Sequence, residues 1–195
     1  MSAHNTQGGR SALRTLIVPG LNGSGPQHWQ NLWQKAHPDY ERVEQKDWNT
    51  VHLETWARAV VRQIEAANSP VILVAHSFGC LAAVRAGELA PAQIRGALLV
   101  APANPGKFGV DALVSRLHLG FPSVVVASRN DPWMPYLDAV AWSRRWGSRF
   151  ADAGNAGHIN VEAGYGRWPE GERLLGELRA VVLREPSGSA ISLAA

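Results

Sequence analysis

Residues 71–79 of the chain read V-I-L-V-A-H-S-F-G. The run up to Ala75 is continuously apolar, which is typical of a strand buried on both faces of a parallel sheet. The next stretch, 78–89, is rich in small residues, as expected where a helix lies close against a sheet. The sequence therefore predicts a strand, a tight turn at Ser77 and a helix, in that order.

Apolar runs and helical patterns alternate along the rest of the chain. The apolar runs, some of them weak, lie at 13–19, 41–46, 71–76, 96–101, 122–128 and 148–152. The helical patterns lie at 27–36, 51–67, 78–89, 135–146 and from Pro169 onward. Because parallel neighbours in a sheet need crossover connections, this order predicts a three-layer α/β/α sandwich with about six mostly parallel strands. In such sheets ligands bind beyond the carboxyl ends of the strands.

Length and composition indicate one globular domain. The chain has 195 residues, of which 46% are hydrophobic and 18% charged, enough to bury a full core but too few for two ordinary domains. We expect the domain to span 13–184, with flexible tails at 1–12 and 186–195. No repeat of fixed period interrupts it.

Charge and hydropathy exclude several classes of partner. The net charge is +3 and no dense basic run occurs, so a nucleic-acid surface is not expected. No apolar run approaches the roughly 20 residues needed to span a bilayer, and no secretory signal is evident, so we expect a cytoplasmic protein without a membrane partner. The single cysteine, Cys80, excludes an internal disulfide and a multi-cysteine metal site. We expect no metal and no cofactor.

Ser77 follows the strand in the setting of a nucleophile elbow, a strained turn that exposes a serine hydroxyl above the sheet. Small residues two positions away on each side, Ala75 and Gly79, would allow neighbouring backbone to pass close by. Ala75 stands where glycine is more usual. The alternative interpretation is an ordinary serine at a helix N-cap, where its hydroxyl accepts a bond from a free amide.

Two later loops offer partners for this serine in the order that the elbow requires, serine, acid and histidine. The loop S-R-N-D-P-W-M-P places Asp131 after the strand at 122–128, and A-G-N-A-G-H-I-N places His158 after the strand at 148–152. Asp131 could instead only initiate a turn, and His158 could be an ordinary loop histidine. The joint order favours a Ser-His-Asp triad. The rival acids are Asp111, Asp138 and Asp152.

The loop V-P-G-L-N-G-S-G at 18–25 follows the first strand and could complete an oxyanion hole. In this architecture one donor is the amide after the nucleophile, here Phe78, and the second comes from this loop, at Leu21 or Asn22. A phosphate-binding role is disfavoured, because its glycines match neither dinucleotide-binding nor Walker patterns. His28 at the mouth of the loop and Trp133 beside the acid are candidate pocket residues. His76 should point away from Ser77.

Four motifs together resemble the small α/β-hydrolases of the YdeN-like group, which includes the retinoblastoma-binding serine hydrolase. These motifs are P-G-L-N-G-S-G followed by Q-H-W, H-S-F-G, S-R-N-D-P and A-G-H-I-N. The similarity covers about residues 13–184. It implies a lidless α/β-hydrolase fold and a serine hydrolase activity, with Ser77, Asp131 and His158 as the triad.

The hypothesis that follows is a metal-free serine hydrolase acting on small carboxylic esters, with thioesters or amides as further substrates. No insertion between 101 and 131 is long enough for a substantial lid, so the site should be open and long-chain lipids are disfavoured. Two alternatives remain. One is an acyltransferase, in which an alcohol replaces water, and the other is a protein-binding module that keeps the fold.

Overall fold

The computed structural model describes residues 12–184, so apart from Ala12 the predicted tails lie outside the described residues. The strands are β1 (Arg14–Val18), β2 (Tyr40–Arg42), β3 (Val71–His76), β4 (Ile94–Val100), β5 (Ser123–Ala127) and β6 (Arg149–Asp152). They form one sheet in the order β2-β1-β3-β4-β5-β6, and every neighbouring pair is parallel. The predicted parallel sheet is therefore confirmed.

Helices cover both faces of the sheet. They are α1 (Trp29–Ala36), α2 (Leu53–Ala67), α3 (Phe78–Leu89), α4 (Asp111–Val114), α5 (Tyr136–Arg145) and α6 (Pro169–Arg184). Residues of α2 and α3 form one core with one face of the sheet, and residues of α1 and α6 form a second core on the other face. The helix α4 and three short 3-10 turns were not predicted, because segments of three or four residues show no apolar period.

The start of α3 lies against the end of β1. A side chain at Gly79 would bring its Cβ to 2.7 Å from the carbonyl oxygen of Val18 and still closer to that of Pro19. Both neighbours are backbone atoms, so neither can move away cheaply. The contact explains why the small residue predicted at this position is required there, and it places the turn at Ser77 beside the loop that follows β1.

We expect Gly79→Ala to lower the free energy of unfolding by about 1–3 kcal/mol, because overpacking a tight site costs that much. Gly176→Ala in α6 is the matched control, since a Cβ at Gly176 meets nothing within 4 Å. It should instead stabilise the protein by about 0.5–1 kcal/mol through lower backbone entropy in the unfolded chain. Urea unfolding of both variants measures the difference. Equal effects of the two substitutions would contradict the assigned contact.

Candidate active site

The turn after β3 has the strained backbone that the sequence predicts. Ser77 has φ 54° and ψ −126°, a conformation that non-glycine residues rarely adopt. Its amide donates to the carbonyl of Val100 at 3.0 Å, and its own carbonyl accepts from the amide of Ala103 at 3.2 Å. Gly20 approaches so closely that an added Cβ would lie 2.8 Å from the Cβ of Ser77. The turn is therefore held between the backbone at the end of β4 and the loop that follows β1.

Ser77, His158 and Asp131 form a continuous chain of hydrogen bonds. The Oγ of Ser77 lies 3.0 Å from Nε2 of His158. The Nδ1 of His158 lies 2.9 and 3.1 Å from the two carboxylate oxygens of Asp131. A carboxylate can only accept, so Nδ1 carries the ring proton and Nε2 is free to accept the proton of the serine hydroxyl. The side chains of Asp131 and His158 are 2% and 10% exposed, so water scarcely competes for their bond.

Asp131 also stabilises a turn in its own loop, because its Oδ1 accepts from the amide of Trp133 at 2.9 Å. One carboxylate therefore shapes its own loop and binds the histidine. The rival Asp152 is occupied elsewhere, by Arg129 at 2.6 and 2.9 Å and by the hydroxyl of Tyr136 at 3.1 Å. Burial and geometry thus distinguish the two acids at this edge of the sheet.

The loop that carries His158 is strained and firmly held. Ile159 has φ 47°, an outlier for a β-branched residue. Its carbonyl accepts from the indole Nε1 of the fully buried Trp29 at 2.9 Å, and the carbonyl of His158 accepts from Nε2 of His76 at 3.0 Å. Two interior side chains thus fix the carbonyl groups on both sides of the Ile159 Cα.

The acid and histidine loops are also bonded to each other. The hydroxyl of Ser128 accepts from the amide of Ala156 at 2.8 Å, and the side-chain oxygen of Asn130 accepts from the amide of Gly157 at 2.7 Å. We did not single out Ser128 or Asn130 from the sequence. The signal that could have found them is the short polar run immediately before Asp131, at the carboxyl end of a buried strand.

His76 and His28 form a buried cluster with His158, in which the rings meet at steep angles. The ring centroid of His76 lies 4.9 Å from that of His158 and 4.7 Å from that of His28. The ring of His76 thus lies beside that of His158, while its orientation away from Ser77 stays a prediction. Burial places the pKa of His76 well below its usual value. Burial, followed by the positive Arg42 and then His158, lowers the pKa of His28 to about 4.

His28 lies in the interior rather than on an open pocket wall. It is 5% exposed, and its Nδ1 accepts from the amide of Gln30 at 3.2 Å, so the ring caps the start of α1. Its Nε2 finds no partner among residues 12–184. The cap before α1 thus holds the ring inward, and the role of His28 as a pocket residue stays a prediction. Trp133 is 57% exposed and stands at the rim.

The loop after β1 distinguishes the two candidate oxyanion donors. The amide of Asn22 donates to the carbonyl of Trp48 at 3.0 Å, so it is already engaged. Leu21 begins the short 3-10 turn Leu21–Gly23, and Phe78 begins α3. The first amide of a helix has no acceptor within that helix. Among residues 12–184, the amides of Leu21 and Phe78 have no acceptor, whereas the amide of Asn22 has one.

A buried glutamine holds this loop on the sheet. Gln30 is fully buried, and its Nε2 donates to the carbonyls of Val18 at 3.1 Å and Val74 at 3.0 Å. Its Oε1 accepts from the hydroxyl of Ser24 at 2.6 Å. Arg42 adds a bond to the carbonyl of Gly23 at 2.9 Å. The loop is thus fixed by side chains from α1 and from β2.

A small, mostly apolar cavity lies next to Phe78. Its volume is about 240 Å³, and its lining includes the polar His52 and Glu54 besides the apolar Val51, Leu53, Phe78, Phe108, Val110 and Leu113. A larger cavity of about 670 Å³ lies over the loop at 44–47 and is lined by none of the predicted site residues. Of the two, only the smaller one adjoins the turn at Ser77.

Neither a metal-binding cluster nor a membrane-spanning helix occurs within residues 12–184. In this part of the chain, no three His, Cys, Asp or Glu side chains are grouped so that they could hold a metal ion. Nor does any helix there have the length and apolar character needed to cross a membrane.

Cys80 is buried, and its thiol donates to the carbonyl of Val100 at 3.3 Å. Burial raises the pKa of that thiol well above its usual value.

Comparison with solved structures identifies similar folds. A YdeN-like hydrolase from Pectobacterium atrosepticum is 39% identical, with a TM-score of 0.84 over 87% of this chain and 92% of that chain. The ydeN gene product of Bacillus subtilis is 19% identical, with a TM-score of 0.71 over 87% of this chain and 100% of that chain. Est1E from Butyrivibrio proteoclasticus, solved with ferulic acid, is 12% identical, with a TM-score of 0.67 over 90% and 92% of the two chains. At these lower identities the likeness concerns the fold alone.

Sequence comparison assigns the family. No curated protein sequence matches the chain. The sequence model of the serine hydrolase family matches residues 15–177, which is most of the chain, and the Pectobacterium structure supports the same assignment. The predicted resemblance is therefore confirmed: this chain belongs to the serine hydrolase family and is an α/β-hydrolase.

Proposed function

We propose that this hydrolase cleaves small carboxylic esters through an acyl-enzyme intermediate, with Ser77, His158 and Asp131 as its catalytic triad. The observation that carries the proposal is the hydrogen-bonded order of the three side chains, 3.0 Å from Ser77 to His158 and 2.9 Å from His158 to Asp131. Serine is a weak nucleophile unless a positioned base removes its proton. This chain of hydrogen bonds supplies that base in the required tautomer.

The reaction follows from these roles. Ser77 Oγ attacks the ester carbonyl while His158 Nε2 takes the hydroxyl proton, and Asp131 stabilises the imidazolium that forms. His158 then gives the proton to the leaving alcohol as the carbon–oxygen bond breaks. Water, activated by the same nitrogen, releases the acid and restores Ser77.

The negative oxygen of the tetrahedral intermediate needs donors that are free before substrate arrives. The amides of Phe78 and Leu21 meet this requirement, while the bond from Asn22 to Trp48 removes the third candidate. We assign the oxyanion hole to Phe78 and Leu21. Gln30 supports this assignment, because it holds the loop of Leu21 on the ends of β1 and β3.

A small acyl group fits the space beside the elbow. The adjoining cavity is mostly apolar, with His52 and Glu54 also in its lining, and only about 240 Å³ in volume. The connection at 101–122 that passes over it contains a 3-10 turn, Pro105–Phe108, and the one-turn helix α4. Thioesters and amides of similar size would use the same groups, whereas long-chain lipids would exceed this cavity.

A fluorophosphonate probe and steady-state kinetics test the triad. We expect the probe to label the wild-type protein but not Ser77→Ala, because the probe reacts with an activated serine. Asp131→Asn should lower kcat for p-nitrophenyl acetate about 10⁴-fold, since an amide no longer fixes the tautomer of His158. A panel of p-nitrophenyl esters should show kcat/KM falling as the acyl chain lengthens.

The matched control is Asp152→Asn, the same substitution in the acid that is bound to Arg129 rather than to His158. It should leave kcat within about threefold of wild type, because exposed ion pairs contribute little to structure. If well-folded wild-type protein resists the probe, or if Asp131→Asn retains near-normal turnover, the proposed triad is wrong.

The strained histidine loop generates a second prediction. Trp29→Phe deletes the bond to the carbonyl of Ile159, and we expect kcat to fall about 10- to 100-fold, because small misplacements of a catalytic group are costly. Trp33→Phe is the control, since Trp33 lies on the same helix and its indole donates to the carbonyl of Arg167 at 2.7 Å. Both variants should lose about 2 kcal/mol of stability. Equal losses of kcat would exclude a positioning role for Trp29.

The buried His28 generates a pH prediction. Its pKa is lowered from 6.5 to about 4. Between pH 4 and pH 6.5 the ring therefore binds a proton in the unfolded chain but not in the folded chain. The contribution of this pKa difference to the free energy of unfolding is therefore fully present above pH 6.5. It declines by about 3 kcal/mol as the pH falls to 4.

Urea unfolding at pH 7.5 and pH 4 measures this decline. His28→Asn keeps a capping oxygen for the Gln30 amide but removes the titrating ring. The variant should therefore lose less stability in acid than the wild type, by about 3 kcal/mol. His76, Arg42 and His158 face the ring and are unchanged in the comparison. An identical pH dependence in both proteins would show that His28 is not held neutral.

A further inference from the structure

Trp133 presents an exposed aromatic surface at the rim of the site. It is 57% exposed, whereas Trp29, Trp33, Trp56 and Trp146 are almost completely buried. The centroid of its indole lies 6.4 Å from that of the His158 ring, at an interplanar angle of 62°. Its backbone is fixed by the bond from its amide to Asp131. A large, well-placed aromatic ring beside the histidine is thus left free to contact a ligand.

Lys107 places a positive charge over this ring. Its Nζ lies 5.7 Å from the centroid of the Trp133 indole and 3.4 Å from the carbonyl of Pro132, to which it donates. Among residues 12–184 no carboxylate lies within 4.0 Å of Lys107. Of the acids on the neighbouring elements, Asp131 binds His158 and Asp138 accepts from Asn104 at 3.2 Å, while Asp111 at the start of α4 forms no ion pair with Lys107. The ammonium group therefore remains available to an anion.

The proposed reaction determines which part of a substrate lies next to Trp133 and Lys107. The leaving oxygen must come within hydrogen-bond distance of His158 Nε2, because the imidazolium protonates it. The body of the leaving alcohol must then extend past the His158 ring toward the rim. Trp133 is the aromatic surface that stands there, and Lys107 lies over it.

We propose that Trp133 and Lys107 form a leaving-group subsite for aromatic alcohols that carry a carboxylate. The aromatic ring of the alcohol packs against the indole, and its carboxylate pairs with the ammonium group of Lys107. This inference rests on the proposed esterase function and specifies the substrate class for it. The preferred esters are those of hydroxybenzoate-like acids with a small acyl group.

The reaction of such an ester balances without any co-reactant other than water. With 4-acetoxybenzoate, Ser77 Oγ bonds to the acetyl carbon, and the bond from that carbon to the phenolic oxygen breaks with its electron pair on the oxygen. The phenolic oxygen takes from His158 the proton that came from Ser77. Water then adds its hydroxyl to the acetyl carbon, the bond from that carbon to Ser77 Oγ breaks, and a proton of the water passes through His158 to Ser77 Oγ. The acetic acid that is released ionises to acetate. The products are 4-hydroxybenzoate and acetate.

A pair of substrates that differ in one charge tests the subsite. The charged substrate is 4-acetoxybenzoate, and the neutral one is its methyl ester at the benzoate carboxyl. The measured quantity is the ratio of kcat/KM for the charged ester to kcat/KM for the neutral one. Lys107→Glu should lower this ratio at least tenfold, because it replaces attraction by repulsion, and Lys107→Met should lower it about threefold to fivefold. Added salt should lower the ratio in the wild type.

Two further variants complete the test. Lys35→Met removes an exposed lysine from the last turn of α1 and should leave the ratio unchanged. Trp133→Ala should raise KM for both aryl esters about fivefold to tenfold, since both lose the aromatic contact. Circular dichroism and thermal unfolding establish that each variant is folded.

The outcomes separate the two proposals. A ratio in Lys107→Glu within twofold of the wild-type value, or an unchanged KM in Trp133→Ala, overturns the subsite. If the wild type then still reacts with the fluorophosphonate probe and hydrolyses p-nitrophenyl acetate, only the subsite is wrong. If it does neither, the esterase function itself fails.

Discussion

The left-handed turn at Ser77 is the constraint on which the rest of the site depends. A non-glycine residue in such a conformation costs about 1–3 kcal/mol, and it persists only where the surroundings over-determine it. Here β3 lies between two parallel neighbours, and Gly20 and Gly79 let backbone approach to distances that any side chain would prevent. The hydroxyl is consequently directed over the sheet edge, where a side chain from a distant loop can meet it.

The second strained residue is Ile159. It directly follows His158, which forms the other end of the hydrogen bond from Ser77. Neither loop could hold this geometry alone, and in both cases the stabilising contacts come from the interior. Trp29 belongs to the core between α1 and the sheet, yet its indole nitrogen fixes the carbonyl of Ile159. A tryptophan that packs the core therefore also holds the loop of His158, the base of the proposed mechanism.

The sequence predicts those features that are encoded locally. The buried strand, the turn and the small-residue helix lie within 71–89, and the acid and histidine each follow a recognisable strand end. Contacts between distant loops carry no such signal. The choice between Leu21 and Asn22 depends on the carbonyl of Trp48, which lies in a loop without apolar period. The inward position of His28 likewise follows from packing that spacing cannot show.

The neutrality of the buried His76 matters because its ring packs beside that of His158, the base of the proposed mechanism. In the proposed mechanism His158 becomes positive during acyl transfer, and the carboxylate of Asp131 is the group in the hydrogen-bonded chain that compensates this charge. A second positive charge on His76, with its ring centroid 4.9 Å away, would oppose the imidazolium by about 3 kcal/mol at an effective dielectric constant of about 20. Burial keeps the pKa of His76 well below its usual value, so this repulsion does not arise. The interior that holds the His158 loop in place therefore also protects the charge that His158 must carry.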